Sequence, residues 1–205
     1  RTPRPADMPE AISVYVPQVV SGEESARRGR AAWAAWALIL AGAAGLVASI
    51  VLAPVLRARG ATLASHMIYQ FFHVACHQIP DRSFHVEGHA FAVCARCFGL
   101  YAGALAGVAV YPLARPLTRA WAPARGWLLL AAAPTAVDFA LGFTGLWDNT
   151  HWSRFSTGTL LGAVAAFYVV PGLVDLFRRG GARPPGRGRA ERLKEVDPDF
   201  RASCG

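Results

Sequence analysis

The sequence predicts an all-α integral membrane protein: a bundle of four transmembrane helices with one further amphipathic helix lying at the interface. Three observations carry this. Of the 205 residues, 54% are hydrophobic and only 17% charged, a balance that suits a bilayer better than a water-facing surface. The apolar residues fall in long blocks, and residues 31–56 carry no charge at all, more than the roughly 20 residues a helix needs to cross about 30 Å of hydrocarbon. Most arginines sit just outside those blocks, where positive charge sets membrane orientation. The net charge of +8 is therefore assigned to topology. The basic tail has few aromatics to stack bases, so nucleic acid is not expected as a partner. The lipid bilayer is.

In chain order, residues 1–30 are rich in Pro, charge and small residues and end in Arg27, Arg28 and Arg30; they are expected to form a flexible cytoplasmic arm. No small-residue cleavage site follows a short apolar core, so the first apolar block is expected to stay as an anchor rather than leave as a signal. The membrane domain covers residues 31–178. Its first span, residues 31–54, carries Trp33 and Trp36 near its start, where amphipathic rings suit the headgroup region. Arg57 and Arg59 close it.

A Cys/His loop region follows at residues 61–90. In it Leu63, Met67, Ile68, Phe71, Phe72 and Ala75 recur at helical spacing, too briefly for a span, which predicts the interfacial helix. Residues 78–89 read as a polar loop around Pro80, Asp81 and Gly88. The second span, residues 91–113, holds Gly99, Gly103 and Gly107, a double GxxxG stripe that admits close approach of a partner helix, from this chain or from a second copy. After a basic loop with Arg115, Arg119 and Arg125, the third span covers residues 126–147 and is interrupted by Pro134 and Asp138. The fourth covers residues 155–177, with Ser156 or Thr157 as cap, Gly158 and Gly162 repeating the close-packing spacing, and a kink at Pro171. Residues 179–205 read as a disordered basic tail.

Lys and Arg near the spans cluster in the arm, the 115–125 loop and the tail, against only Arg57, Arg59, Arg82 and Arg154 on the other side. Both termini are thus expected in the cytoplasm and the protein in the inner (plasma) membrane. The Cys/His loop and the 148–154 loop then emerge together on the outer face.

That convergence gathers the candidate chemistry. Cys94 and Cys97 form CxxC at the mouth of the second span, and Cys76 lies one loop earlier, with His73 three residues before it and His77 adjacent. Paired ligands two residues apart, completed by a second pair across a loop, are how tetrahedral metal sites are built. A set of Cys76, Cys94, Cys97 and either His73 or His77 favours zinc, with iron or copper also compatible. The alternative is redox chemistry. CxxC at a helix start has its thiolate stabilised by the helix dipole and by Arg96, and a membrane quinone would then be the electron partner. A purely structural disulfide is a third option in an oxidising compartment. The absence of a histidine after CARC removes c-type haem attachment.

Asp138 falls well inside the third span, where a carboxylate costs roughly 3 kcal/mol unless paired, protonated or wet. Arg96 and Arg154 are its candidate partners, and proton transfer is a candidate role. The start of the fourth helix beside Arg154 could also hold an anion. Cys204 lies in the tail on the opposite predicted side.

Cys76-His77-Gln78, Arg82-Ser83-Phe84, the run from Cys94 to Gly103 with its Cys-x-Arg-Cys, then Asp138 and Arg154-Phe155-Ser156-Thr157-Gly158, together resemble the bacterial and archaeal membrane family known as domain of unknown function 2085. The resemblance covers residues 67–162. It implies a small multi-span membrane protein, and by matching position it points to Cys76, His77, Arg82, Cys94, Arg96, Cys97, Asp138, Arg154, Thr157 and Gly158. It also shifts the nitrogen ligand from His73 toward His77. Three functional readings follow: a membrane-embedded metal protein on Cys76, His77, Cys94 and Cys97, with Arg82, Arg96, Asp138 and Arg154 as candidate catalytic or pocket residues; a thiol-disulfide oxidoreductase; or a scaffold that assembles through its glycine faces.

Overall fold

The computed structural model describes residues 22–117 and 123–180. The chain is mostly helical: α1 (Gly22–Ala58), α2 (Thr62–His73), α3 (Ala95–Ala114), α4 (Arg125–Phe143) and α5 (His151–Gly180), with a two-stranded antiparallel hairpin, β1 (His85–Val86) and β2 (His89–Ala90), between α2 and α3. Among the described residues four helices, α1, α3, α4 and α5, are long and apolar enough to cross a membrane. The tail beyond Gly180, Arg119, Cys204 and most of the arm lie outside the described residues, while Arg179 and Gly180 of the expected tail close α5. The last residues of the expected arm, from Gly22 on, are helical and extend α1.

The packing centres on α3 and α5, which run parallel with their glycine faces interlocked. A Cβ added at Gly99, Gly103 or Gly107 would lie under 3.0 Å from Phe155, Thr159 or Ala163 respectively, and one at Gly158 or Gly162 would meet the backbone at Arg96 or Leu100. The GxxxG stripe therefore finds its partner within the chain, since without side chains the two backbones close to van der Waals distance. α1 crosses this pair antiparallel. Its start, Ala32 and Ala35, packs with Val108 and Tyr111 at the end of α3 and with Ala166, Val170 and Val174 of α5. Its end, Ile50 and Ala53, packs with Phe72, Cys76 and residues 91–93. α4 is the outlier, with only Ala131 buried and most of its large side chains exposed.

Helix boundaries differ from the sequence reading for local reasons. The second span begins at Ala95 rather than residue 91, because Phe91, Ala92 and Val93 are buried in a non-helical run that packs on α1 and α2 before the helix begins. α4 ends at Phe143 rather than residue 147, with Thr144 as C-cap and Gly145 in a left-handed conformation (φ +71°) two residues past the last helical turn. α5 begins at His151, so Thr150 supplies the cap, accepting the Ser153 N–H at 3.1 Å, while the Ser156 and Thr157 hydroxyls bond back to carbonyls within the helix. Helix α2 is amphipathic as expected, but its apolar residues split. Ser65, Ile68 and Phe72 face the bundle, Ser65 donating to the Ala53 carbonyl of α1 at 2.8 Å, whereas Leu63, Met67 and Phe71 form an outward stripe. Trp36 is also not a free headgroup ring, for its indole N–H bonds into α3.

Candidate functional site

The loop between α2 and α3 is held by side chains rather than by regular structure. After α2, Cys76, His77 and Gln78 run without helix. Cys76 turns inward and is buried, and His77 is exposed. Gln78 adopts a left-handed backbone (φ 52°), and its amide donates to the Tyr69 carbonyl at 2.6 Å and the Ala92 carbonyl at 2.8 Å. One side chain thereby ties the end of α2 to the segment entering α3. The Tyr69 hydroxyl donates to the Ala90 carbonyl of β2, and burial raises its pKa.

A 3₁₀ turn at Pro80–Arg82 follows, closed by the buried Ser83, whose hydroxyl donates to the Ile79 carbonyl at 2.9 Å. Glu87 (φ 50°) and Gly88 (φ 76°) form the tight hairpin turn, both in the positive-φ region that two-residue hairpin loops require. Phe84 is the aromatic pin of the region. It packs edge-on against Trp152 at 5.4 Å and Phe155 at 5.8 Å between ring centroids, and against Phe98 of α3. The loop is thus docked onto both α3 and α5.

This docking brings three cysteines together. Cys94 is the N-cap residue of α3, and its backbone N–H donates to the Cys76 sulfur at 3.3 Å. The thiols of Cys94 and Cys97 both interact with that same sulfur, and all three cysteines are free. The hydrogen bond with Cys76 pushes the Cys94 thiol pKa well up, and burial adds to it. Cys94 is therefore a thiol, not a thiolate, at neutral pH.

The sulfurs line a cavity of about 240 Å³ shared with His77, Arg82, Arg96, Asn149, Arg154 and the α4 residues Phe139, Gly142 and Phe143. Arg96 pairs with Asp138 across the gap between α3 and α4 and lies over the Phe139 ring at 5.6 Å. Asn149 donates to the Asp138 backbone carbonyl. Arg96 is thus the partner of Asp138, and Arg154 stands beside the pair without joining it.

Of the residues singled out from sequence, Cys76, His77, Arg82, Cys94, Arg96, Cys97 and Arg154 line one cavity, and Asp138 is tied to it through Arg96. Thr157 accepts a bond from Thr135 of α4 through its carbonyl at 3.0 Å, and Gly158 serves helix packing. The tetrahedral set of three cysteines and a histidine finds no support: among the described residues no group of three or more His, Cys, Asp or Glu is arranged to hold a metal ion. Cys76 is buried whereas His77, though it lines the same cavity, is exposed, and His73 ends α2 in an exposed position. Sequence reasoning gave no role to Ser83 or Asn149 and did not single out Phe139 or Phe143. Only Asn149 carried a signal, as a polar residue in the loop that was expected to meet the Cys/His region.

The family described as "Predicted membrane protein (DUF2085)" matches residues 76–168, which span the cavity and the α3/α5 pair. An uncharacterized protein of Methanocaldococcus jannaschii is 39% identical over 128 residues, covering 60% of this chain and 82% of that protein. An uncharacterized protein of Methanothermobacter thermautotrophicus is 36% identical over 92 residues, covering 45% of this chain and 81% of that protein. No solved structure matches.

Proposed function

The chain belongs to the family described as "Predicted membrane protein (DUF2085)", and on that premise we propose that it is a thiol–disulfide exchanger of the bilayer, with both termini cytoplasmic and its cysteines opening at the outer surface. The observation that supports this reading is the meeting of the Cys94 and Cys97 thiols at the Cys76 sulfur, at the start of α3 and beside a cavity.

The roles divide by access and protonation. Cys97 lines the cavity and is only half-buried, so it is the attacking group. Cys76, buried and at the edge of the same cavity, resolves. Cys94, held as a thiol, keeps a proton on the Cys76 sulfur's side of the site. Cys97 attacks one sulfur of a substrate disulfide and releases the other as a thiol. Cys76 then attacks the Cys97 sulfur of the mixed disulfide, leaving a Cys76–Cys97 bridge and a substrate dithiol. Two electrons pass from the two cysteines to the substrate, and their two protons end on its thiols. A second substrate's dithiol reverses the steps and restores the cysteines.

Thiol trapping of detergent-purified protein tests this directly. Mild oxidation is expected to leave one bridge and a free Cys94, to be unaffected by C94S, and to be abolished by C97S or C76S. One equivalent of zinc, iron or copper per chain, with all three thiols protected until a chelator is added, would overturn exchange in favour of a metal site. A membrane-impermeant maleimide should reach Cys97 in intact cells; labelling only after permeabilisation reverses the orientation.

A further inference from the structure

The positive charge of the cavity exceeds what its one ion pair consumes. Arg82, Arg96 and Arg154 all line it, and among the described residues the one salt bridge on its wall is Arg96 with Asp138. Arg82 and Arg154 face the same space with no salt bridge among the described residues; Arg154 is close enough to both other arginines for their charges to repel, an effect that Asp138 offsets in part. Arg96 Nε is buried with no hydrogen-bond partner, as is Asn149 Oδ1 on the same cavity wall; buried polar atoms of this kind are normally paired. Like charges and an orphan donor around a partly enclosed space are unfavourable unless an anion completes them.

We propose that this cavity binds a phosphate group between Arg82 and Arg154, with Arg96 Nε as a further donor. A carboxylate offers two oxygens, whereas phosphate can accept from three guanidinium groups at once, which is the arrangement arginine forks suit best. The volume, about 240 Å³, is smaller than the roughly 300–1,000 Å³ of pockets for drug-sized ligands, so the bound part of the ligand is compact. Phe139 and Phe143, stacked at 6.0 Å and exposed on α4, line the same cavity. They provide an apolar wall leading out along the helix. The phosphate can therefore belong to free inorganic phosphate or to an anionic lipid headgroup whose tails lie along that wall. The inference goes beyond the thiol reading and does not depend on it.

The test uses full-length protein in neutral detergent, titrated with inorganic phosphate by calorimetry, and the same protein exposed to phosphatidylglycerol or phosphatidylcholine and examined by native mass spectrometry. Wild type should bind phosphate, or retain phosphatidylglycerol over phosphatidylcholine; the first assigns the site to the free anion, the second to the lipid. R82Q and R154Q should each weaken that binding by about tenfold or more, while R82K, which keeps the charge, loses less. R59Q removes an exposed arginine at the same end of the fold, outside the cavity, and should bind as wild type. Melting temperatures of all variants establish that they fold. Binding of neither probe by wild type, or an equal loss in R59Q, overturns the phosphate site; thiol trapping reads the cysteine bridge alone, so a failure of the phosphate site is distinct from any failure of thiol exchange.

Discussion

The indole N–H of Trp36 in α1 donates to the Val108 carbonyl of α3 at 2.8 Å. That carbonyl stands four residues before Pro112, whose ring nitrogen has no hydrogen to return to it. Trp36 thus supplies the bond that the proline withholds, in apolar surroundings where water cannot. W36F should leave the carbonyl unsatisfied and cost about 1–3 kcal/mol, read as a lowered midpoint of thermal denaturation in detergent. W33F, whose ring is exposed, should change little. In a P112A background the restored amide takes the carbonyl, so W36F should cost measurably less than in wild type.

The α3/α5 seam makes a second prediction. Gly103 faces the backbone of Thr159 so closely that a methyl cannot be placed there without moving α5. G103A should destabilise by roughly 1–3 kcal/mol, the usual cost of overpacking, and should loosen the cavity whose walls hang on both helices. Gly42 of α1 has nothing within 4 Å of a built Cβ, so G42A should be neutral or slightly stabilising through helix propensity. Parallel melts of the two variants check this.

These two contacts show what was legible in the sequence and what was not. The glycine periodicity at residues 99, 103 and 107 and again at 158 and 162 announced close packing, because only backbone approach explains such spacing at low side-chain volume. The partner of Asp138 was narrowed to Arg96 or Arg154 because a carboxylate inside a span needs a cation near its depth. Trp36 misled because an aromatic near a helix start has two uses, and only the position of Pro112 on another helix decides between them. The hairpin at residues 85–90 was hidden in a segment that reads as polar loop. Its turn pair is Glu87-Gly88 rather than the usual Asn-Gly or Asp-Gly, and a non-glycine residue at φ 50° leaves a weak trace in sequence. The metal set finds no support among the described residues, and sequence could not decide it, since whether Cys76 and His77 can share an ion depends on the dihedral angles between them.

Gln78 carries the third prediction. It holds a left-handed backbone that non-glycine residues adopt at a cost, and its amide repays this by bonding two carbonyls from different segments. Q78A loses both bonds and keeps the strain; Q78G loses the bonds but relieves the backbone. Q78A should therefore be the less stable of the two by a few tenths to about 1 kcal/mol, and both should fall below wild type. Hydrogen exchange at residues 74–94 should rise in both variants while α5 stays protected. Uniform loss of protection throughout the bundle would show that the amide supports the whole fold rather than the loop.

The last prediction concerns the protonation of Cys94. Alkylation proceeds through the thiolate, and a raised pKa leaves less thiolate at any given pH, so the Cys94 rate should stay low at neutral pH and rise only well into the alkaline range. The largest cause of the shift is the hydrogen bond with Cys76, ahead of burial. Removing that partner lowers the pKa toward its ordinary value and moves the whole pH–rate profile to lower pH. In a C97S background, where Cys94 and Cys76 are the remaining thiols of the site, substitution C76S should accelerate alkylation of Cys94 at pH 8 by about tenfold or more, one decade of thiolate for each unit of pKa recovered. Quantifying the labelled Cys94 peptide by mass spectrometry across pH 6–10 reads this out. A profile that C76S leaves in place would mean that burial alone sets the thiol, and that the Cys76 sulfur is not where its proton is shared.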